Sequence, residues 1–410
     1  MAINLPLPSN LLEVPGVKLG TAAAEIKYAD RDDIGVIWLA PGSCVVGVFT
    51  QNQFAAAPVQ LCRERLPLSA DAATASALIV NSGNANAATG ARGRGDATAL
   101  CAHAAQQLGT TENRVLPFST GVIGEFLPVD RMYSGLTQAF ANLDGAGWLA
   151  FAQAIMTTDT QPKAYSQRVE LADKPVTITG TAKGAGMMRP DMATMLAFIA
   201  TDATVTQPCA QALLQEVCAA SFNRITVDGD TSTNDSLILA CTGASAAEPI
   251  DRVGSPEYEA LKAGLMAVAV PLAQAIVRDG EGATKFVALT VCGAASETEA
   301  LAVAYTVAHS PLVKTAIFAG DPNWGRFCMA IGRAGVKDLA QDKVSLHIDS
   351  VCIARDGLVA PDYDESAAAT VMARAEYGVK IDLGRGESRA EIWTSDLSYE
   401  YVRVNAEYRS

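Results

Sequence analysis

The sequence predicts a layered α/β fold, of the α+β kind, built on mixed sheets and divided into two subdomains. Three observations point there. Runs rich in β-branched and aromatic residues recur along the whole chain, with helical segments between them but no regular βαβ alternation. The last third passes from one strand-like run to the next. A chain of 410 residues also exceeds what one compact core usually supports, so two subdomains are expected. A Rossmann fold or a TIM barrel would need the alternation that is missing.

In chain order, the first strand-like runs are "VIWLAPGSCVVGVFT" (36–50), "SALIVNSG" (76–83) and "PVTITGTA" (175–182). "TMLAFIATDA" (194–203), "SLILACTG" (236–243) and "KFVALTVCGA" (285–294) follow. The tail adds "KVSLHIDSVCIA" (343–354), "VKIDLG" (379–384) and "RAEIWTSDLSYEYVRVNAEY" (389–408). Gly, Pro, Asp or Asn bound each run. Between them, 209–221 places Ala210, Leu213, Leu214, Val217 and Cys218 on one helical face. Residues 257–277 space Leu261, Leu265, Val268, Leu272 and Ile276 by three and four, with a kink expected at Pro271. Ser310-Pro311 reads as an N-cap followed by proline at the first helical position. The weakest joint is the glycine-rich "GTAKGAGMMRPDMA" (180–193).

Composition narrows the function. Half the chain is hydrophobic and 18% is charged, as in a packed globular protein. A net charge of −13 and a pI near 4.8 argue against nucleic-acid or anionic-membrane partners, which want a basic face. The nine cysteines are scattered without a CxxC pair, which predicts buried reduced thiols and neither a zinc site nor a disulfide framework. "MAINLPLPSNLLEVPGVK" lacks a charged n-region and a continuous apolar core, so no signal peptide is expected and a cytoplasmic protein is. The longest apolar run, 265–277, is too short to span a bilayer.

The side-chain inventory excludes much familiar chemistry. His103, His309 and His347 stand isolated, a poor start for a Ser-His-Asp or Cys-His machine. "GEGATK" (280–285) and "GRGES" (384–388) match neither P-loop nor dinucleotide spacing. "DGDTSTND" (228–235) lacks the sixth-position glycine and the closing glutamate of a calcium loop, so no metal is expected. What remains is a hydroxyl nucleophile working without histidine. A threonine at a chain start can use its own α-amine, pKa roughly 7.7–8.0, as the base. Thr194 opens a buried strand directly after the glycine-rich joint. That role requires the Ala193–Thr194 bond to break, by attack of the hydroxyl on the preceding carbonyl. The plain alternative is a β-branched residue starting a strand.

"KGAGMMRPDMATMLAFIATDA" (183–203) resembles the self-cleavage segment of the ornithine acetyltransferase family of arginine biosynthesis. "GVFTQN" (47–52), "NSGNANAATG" (81–90), "STGVIGE" (119–125), "IMTTDTQPK" (155–163) and "FNRITVDGDTSTNDS" (222–236) resemble the family's blocks in order. So do "RDGEGATK" (278–285), "GDPNWGR" (320–326) and "VNAEYRS" (404–410). The resemblance implies a fold of the ornithine acetyltransferase and β-peptidyl aminopeptidase type. It implies cleavage between Ala193 and Thr194 into an α chain (1–193) and a β chain (194–410), assembled as an α2β2 heterotetramer. It implies a cofactor-free enzyme in which Thr194 takes the acetyl group of N-acetylornithine as an ester and passes it to glutamate. In some members acetyl-CoA is a further donor. Thr120 and Gly121 resemble the oxyanion-hole pair, and Thr157, Lys183, Glu281, Asn405 and Ser410 the substrate-binding residues, with Thr157 or Thr158 left open as the contact. Lys183 would meet a substrate α-carboxylate, and Glu281 an ammonium. The alternative function is an N-terminal-nucleophile amidohydrolase or aminopeptidase, in which water takes the acyl group. The blocks 81–90 and 222–236 carry no assigned chemistry.

Overall fold

The computed structural model describes residues 2–68, 74–189 and 195–407. Its N-terminal half holds strands β1 (Val17–Ala22), β2 (Ile34–Leu39), β3 (Cys44–Phe49), β4 (Ser76–Asn84), β5 (Val115–Val122), β6 (Lys163–Leu171) and β7 (Lys174–Lys183). Helices α1 (Ala57–Arg65), α2 (Gly90–Leu108), α3 (Val129–Ala141) and α4 (Trp148–Ala154) lie among them. Then come β8 (Leu196–Thr201), α5 (Gln207–Ala220), β9 (Ile225–Thr226), β10 (Ser236–Cys241), α6 (Pro256–Arg278) and β11 (Phe286–Ala294). The rest comprises α7 (Glu297–Ala308), α8 (Pro311–Ala319), α9 (Trp324–Gly332), β12 (Ser345–Ile348), β13 (Val351–Arg355), β14 (Leu358–Val359), α10 (Glu365–Met372), β15 (Glu376–Asp382), β16 (Ser388–Ser395) and α11 (Tyr399–Ala406).

These elements form three sheets, ordered β1-β2-β4-β5, β3-β10-β8-β7-β6 and β14-β13-β12-β15-β11-β16-β9. The first two stack face to face. Leu78, Val80, Leu116 and Phe118 of the four-stranded sheet meet Leu196, Phe198, Ile238 and Ala240 of the five-stranded one. Phe118 and Phe151 each pack edge-on against Phe198, with ring centroids 5.0 and 5.6 Å apart. Alternate residues serve the opposite faces. Ala77 and Ile79 turn toward α2 and α3, and Ala197, Ile199, Leu237 and Leu239 toward α5 and α6. The result is a helix–sheet–sheet–helix stack. Strands covered on both sides bury every residue, so β8 and β10 read as unbroken apolar runs. The second subdomain packs α7, α8, α9 and α10 onto the seven-stranded sheet. The layered mixed-sheet reading holds.

Several elements differ in detail from the expectation. The run 36–50 is two strands in different sheets, β2 and β3, parted by Pro41 and by Gly42 at φ +85°. The run 343–354 is the antiparallel pair β12–β13, turning through Asp349 at φ +47°. The tail run 389–408 is a strand only as far as Ser395. The Ser398 hydroxyl then caps α11 by accepting the Tyr401 N–H at 3.3 Å. The last third also carries four helices, α7 to α10, among its strands. The long helix α6 runs from 256 to 278 through Pro271, so it is longer than the apolar stretch that marked it. By length and composition it could cross a membrane. Here its Leu261, Leu265, Val268, Leu272 and Ile276 are fully buried inside the protein. Ser310 caps α8 and Pro311 follows it, as the spacing predicts. None of the nine cysteines forms a disulfide; six are buried and Cys328 is exposed.

Candidate active site

Thr194, Ala193 and Ser410 lie outside the described residues. The structure brings the remaining sequence-predicted residues together. Thr120, Gly121, Thr157, Lys183, Glu281 and Asn405 line one cavity of about 220 Å³, where a single water needs only about 10–15 Å³. Thr158, Ser232 and Asn234 are among the other residues of its wall. The cavity opens where the stacked sheets meet. β5 delivers Thr120 and Gly121, while β7 ends at Lys183, which pairs with Leu196 at the start of β8.

Lys183 is the floor of the site. It is 4% exposed, and its Nζ donates to Thr120 Oγ1 at 3.1 Å and to Thr157 Oγ1 at 2.8 Å. The first bond ties one sheet to the other. Each threonine hydroxyl accepts from the lysine and so keeps its own proton for a group in the cavity. Thr157, and not Thr158, is the threonine joined to Lys183. Burial pulls the Lys183 pKa below the ordinary lysine range, the carboxylate of Asp159 restoring only part of it. Gly121 sits at φ +134°, and a Cβ there would lie 2.2 Å from the Gly83 carbonyl carbon, so only glycine fits.

Behind Lys183 runs a buried ion network that sequence reasoning did not single out. Asp159 lies 4.0 Å from Lys183 and 2.6 Å from Lys163, and Lys163 also meets Asp279 at 2.6 Å. Asp159 further accepts the N–H groups of Gly184 at 2.8 Å and Thr157 at 3.1 Å. Asp279 accepts from the Thr160 N–H at 2.9 Å and from its hydroxyl. Burial pushes the Asp159 carboxyl up, but Lys163, Lys183 and the Gly184 N–H outweigh it and hold it well below the carboxylate range. Burial likewise disfavours the Lys163 ammonium, and its two carboxylates raise it above the ordinary value. The pair Asp159/Lys163 stands four apart in the sequence, on a loop and the strand after it; that spacing carries no pattern by which the partnership could be found.

At the opposite rim, Asn405 on α11 donates to Glu281 Oε2 at 2.9 Å, and the Glu281 N–H donates to the Ala185 carbonyl at 2.8 Å. A pocket thus carries a cation at its floor and a carboxylate at its mouth.

The blocks without assigned chemistry prove to be clamps. Asn234 donates from one amide to the Ala85 and Ser119 carbonyls, at 2.7 and 2.8 Å, tying its own loop to the 81–90 turn and to β5 at the cavity wall. Asn81, Asn84 and Asn86 fix the 81–90 turn by similar bonds to backbone. The loop 228–235 holds both flanks of the segment around residue 194. Asp228 accepts the Met187 and Met188 N–H groups, both at 2.7 Å, and Asp235 accepts that of Met195 at 2.9 Å.

Comparisons with known proteins agree with one another. The model of the ArgJ family matches residues 18–410. The arginine biosynthesis bifunctional protein ArgJ of Methylococcus capsulatus is 52% identical over 400 residues, 98% of this chain and 97% of that protein. A crystal structure of the arginine biosynthesis bifunctional protein ArgJ from Bacillus halodurans matches at 35% identity over 50% of this chain and 96% of its own, with a TM-score of 0.48. The ornithine acetyltransferase of Mycobacterium tuberculosis, complexed with ornithine, matches at 31% identity over 45% of this chain and 94% of its own, with a TM-score of 0.37.

Proposed function

Because the chain belongs to the ArgJ family, we propose that it carries the acetyl group of N-acetylornithine to glutamate through an ester on Thr194. The observation that carries this reading is the polarity of the cavity. Lys183 lies beneath two hydroxyls at one end and Glu281 stands at the other. N-acetylornithine offers an α-carboxylate and a side-chain ammonium, and glutamate a carboxylate and an α-ammonium. Both suit a site charged positive at the floor and negative at the mouth.

In this reading the precursor first cuts itself between Ala193 and Thr194. The new α-amine of Thr194 then serves as base for its own hydroxyl, which attacks the acetyl carbonyl. Thr120, with its proton available, and Gly121 stabilise the oxyanion, a donor of this kind being worth about 2.7–4 kcal/mol. Lys183 strengthens that field from 3.1 Å behind Thr120 and draws the substrate carboxylate. Ornithine leaves; glutamate enters the same pocket and takes the acetyl group in a ping-pong cycle. No cofactor is needed for these steps. Acetyl-CoA is a second donor, in keeping with the bifunctional relative. The two fragments remain together as an α2β2 assembly, and Asn405 and Ser410 close over the bound substrate.

Two measurements test this. A denaturing gel should show two fragments in place of one chain of 42.7 kDa, and Thr194→Ala should stay whole and inactive. Incubation with N-acetylornithine should release ornithine rapidly only when glutamate is present. Equal release without glutamate would identify an amidohydrolase instead.

A further inference from the structure

We propose that Asp279, through its ion pair with Lys163, fixes the distance between Lys183 at the floor of the cavity and Glu281 at its mouth, and so selects the length of diamino acid whose acetyl group is taken. The inference rests on the donor reading above, in which Lys183 meets the α-carboxylate and Glu281 the side-chain ammonium. Asp279 is the C-cap of α6 and stands two residues before Glu281. It is 2% exposed. Its Oδ2 accepts from Lys163 Nζ at 2.6 Å and from the Thr160 and Gln161 N–H groups at 2.9 and 3.3 Å. Its Oδ1 accepts the Thr160 hydroxyl. One carboxylate therefore grips the loop that brings Thr157 and Thr158 into the cavity wall and, from the C-terminal end of α6, roots the loop that brings Glu281.

Lys163 carries the tie onward to the floor. Its side chain is fully buried, and its ammonium donates to Asp279, to Asp159 at 2.6 Å and to the Gln161 carbonyl at 3.3 Å, one acceptor for each proton. Asp159 lies 4.0 Å from Lys183 and accepts the N–H of the next residue, Gly184, at 2.8 Å. Floor and mouth are thus the ends of one chain of buried ion pairs, Lys183 to Asp159 to Lys163 to Asp279, with Glu281 two residues further along the sequence. The Glu281 carboxylate is held as closely. Its Oε2 accepts from Asn405 at 2.9 Å, and a Cβ on Gly186 would sit 2.5 Å from that oxygen. Stability alone gives no reason for four charges in this place, since matched apolar side chains are often as stable or more so. A fully satisfied polar network does confer rigidity. Rigidity is what a length gauge needs, because a donor one methylene short or long then fails to meet both charged ends at once.

Lys163→Met combined with Asp279→Asn removes the tie, keeps the net charge of the site and leaves the Lys183–Asp159 pair in place. The asparagine oxygen can still accept the Thr160 N–H. Full-length protein is assayed with glutamate as acceptor and three donors: N-acetylornithine, Nα-acetyllysine (one methylene longer) and Nα-acetyldiaminobutyrate (one shorter). Release of the free diamino acid gives kcat/KM for each, and a melting curve is taken beside it. One methylene is worth about 10- to 200-fold, so the wild type should favour N-acetylornithine over both homologues by that much. In the double variant this preference should shrink by roughly tenfold or more. A network that only supports the fold would lower the three kcat/KM values together, along with the melting temperature, and leave their ratio unchanged; that result would overturn the proposal. So would a wild type indifferent to donor length, which decides the matter even if the double variant fails to fold. A wild type that releases no ornithine from N-acetylornithine would remove the donor reading itself, and the gauge with it.

Discussion

Asparagine in place of Asp159 removes one charge from a site where two ammonium groups depend on it. The side chain keeps its shape, but its one amide oxygen can accept only one of the Gly184 and Thr157 N–H groups, which bond different carboxylate oxygens, so the change costs a hydrogen bond as well as the charge. Among the described residues Lys163 keeps only Asp279 as an ion-pair partner, and Lys183 has no carboxylate as near as 4.0 Å. Removing one partner of a buried pair costs about 3–5 kcal/mol. The chain has one escape, which is to release a proton from one lysine. From an ordinary lysine pKa of about 10.4 at 1.36 kcal/mol per unit, that costs about 4–5 kcal/mol at pH 7 and about 2 kcal/mol at pH 9. The deficit of Asp159→Asn should therefore be about 3–5 kcal/mol at neutrality and shrink as pH rises. It should also shrink in acid. Wild-type Asp159 has a depressed pKa, so its stabilisation is complete above the unfolded value of about 3.9 and fades as pH falls through the folded one. Thermal melting of both proteins from pH 5 to 9 reads the alkaline arm directly, and the acid arm lies below about pH 4. A variant that melts with the wild type at pH 7, or whose deficit widens toward pH 9, would refute the reasoning.

Lys183→Met should lower kcat/KM for N-acetylornithine and glutamate together, roughly 10- to 150-fold for a charge-assisted bond of about 1.5–3 kcal/mol; a change confined to one substrate would exclude a shared pocket. Because burial lowers the Lys183 pKa, wild-type transfer should fail on the alkaline side below the pH at which an ordinary lysine loses its charge, as a pH–rate profile will show. Gly121→Ala should cost at least about 1–3 kcal/mol in strain alone, with a lower melting temperature and lost transfer, since its Cβ would strike Gly83. Deleting residues 405–410 should raise ornithine release without glutamate relative to release with it, at little change in melting temperature, because Asn405 no longer holds Glu281 at the mouth.

Much of this was legible in the sequence, for identifiable reasons. β8 and β10 announce themselves because strands covered on both faces must be apolar throughout. Ser310-Pro311 sets the start of α8 through purely local chemistry. The tail misled because the aromatic and β-branched residues of 396–408 carry strand propensity, whereas the cap at Ser398 starts a helix there. At the site, hydroxyls and single charges in recognisable blocks could be named. The ion network could not, because Asp279 joins Lys163 across 116 residues, and nothing local records a contact of that range. Asp228 and Asp235 look like an imperfect calcium loop on paper. In the fold they accept the backbone N–H groups of Met187, Met188 and Met195, on either side of residues 190–194 in the sequence.

The order of the five-stranded sheet bears on what a cut at residue 194 would leave behind. Its outer members β3, β7 and β6 precede the cut, and its inner members β10 and β8 follow it. The fragments would be interleaved like the teeth of a zip, joined along two seams, β10 to β3 and β8 to β7, of six residue pairs each. Each piece would keep one whole sheet, the four-stranded or the seven-stranded, but neither would own the five-stranded sheet or the core packed against it. Hydrolysis would sever the covalent thread without creating a boundary along which the halves could part. Separately produced fragments should therefore lack the five-stranded layer and recover it only when made together. The enzyme would gain a free threonine terminus at a central strand while its architecture remained that of one molecule.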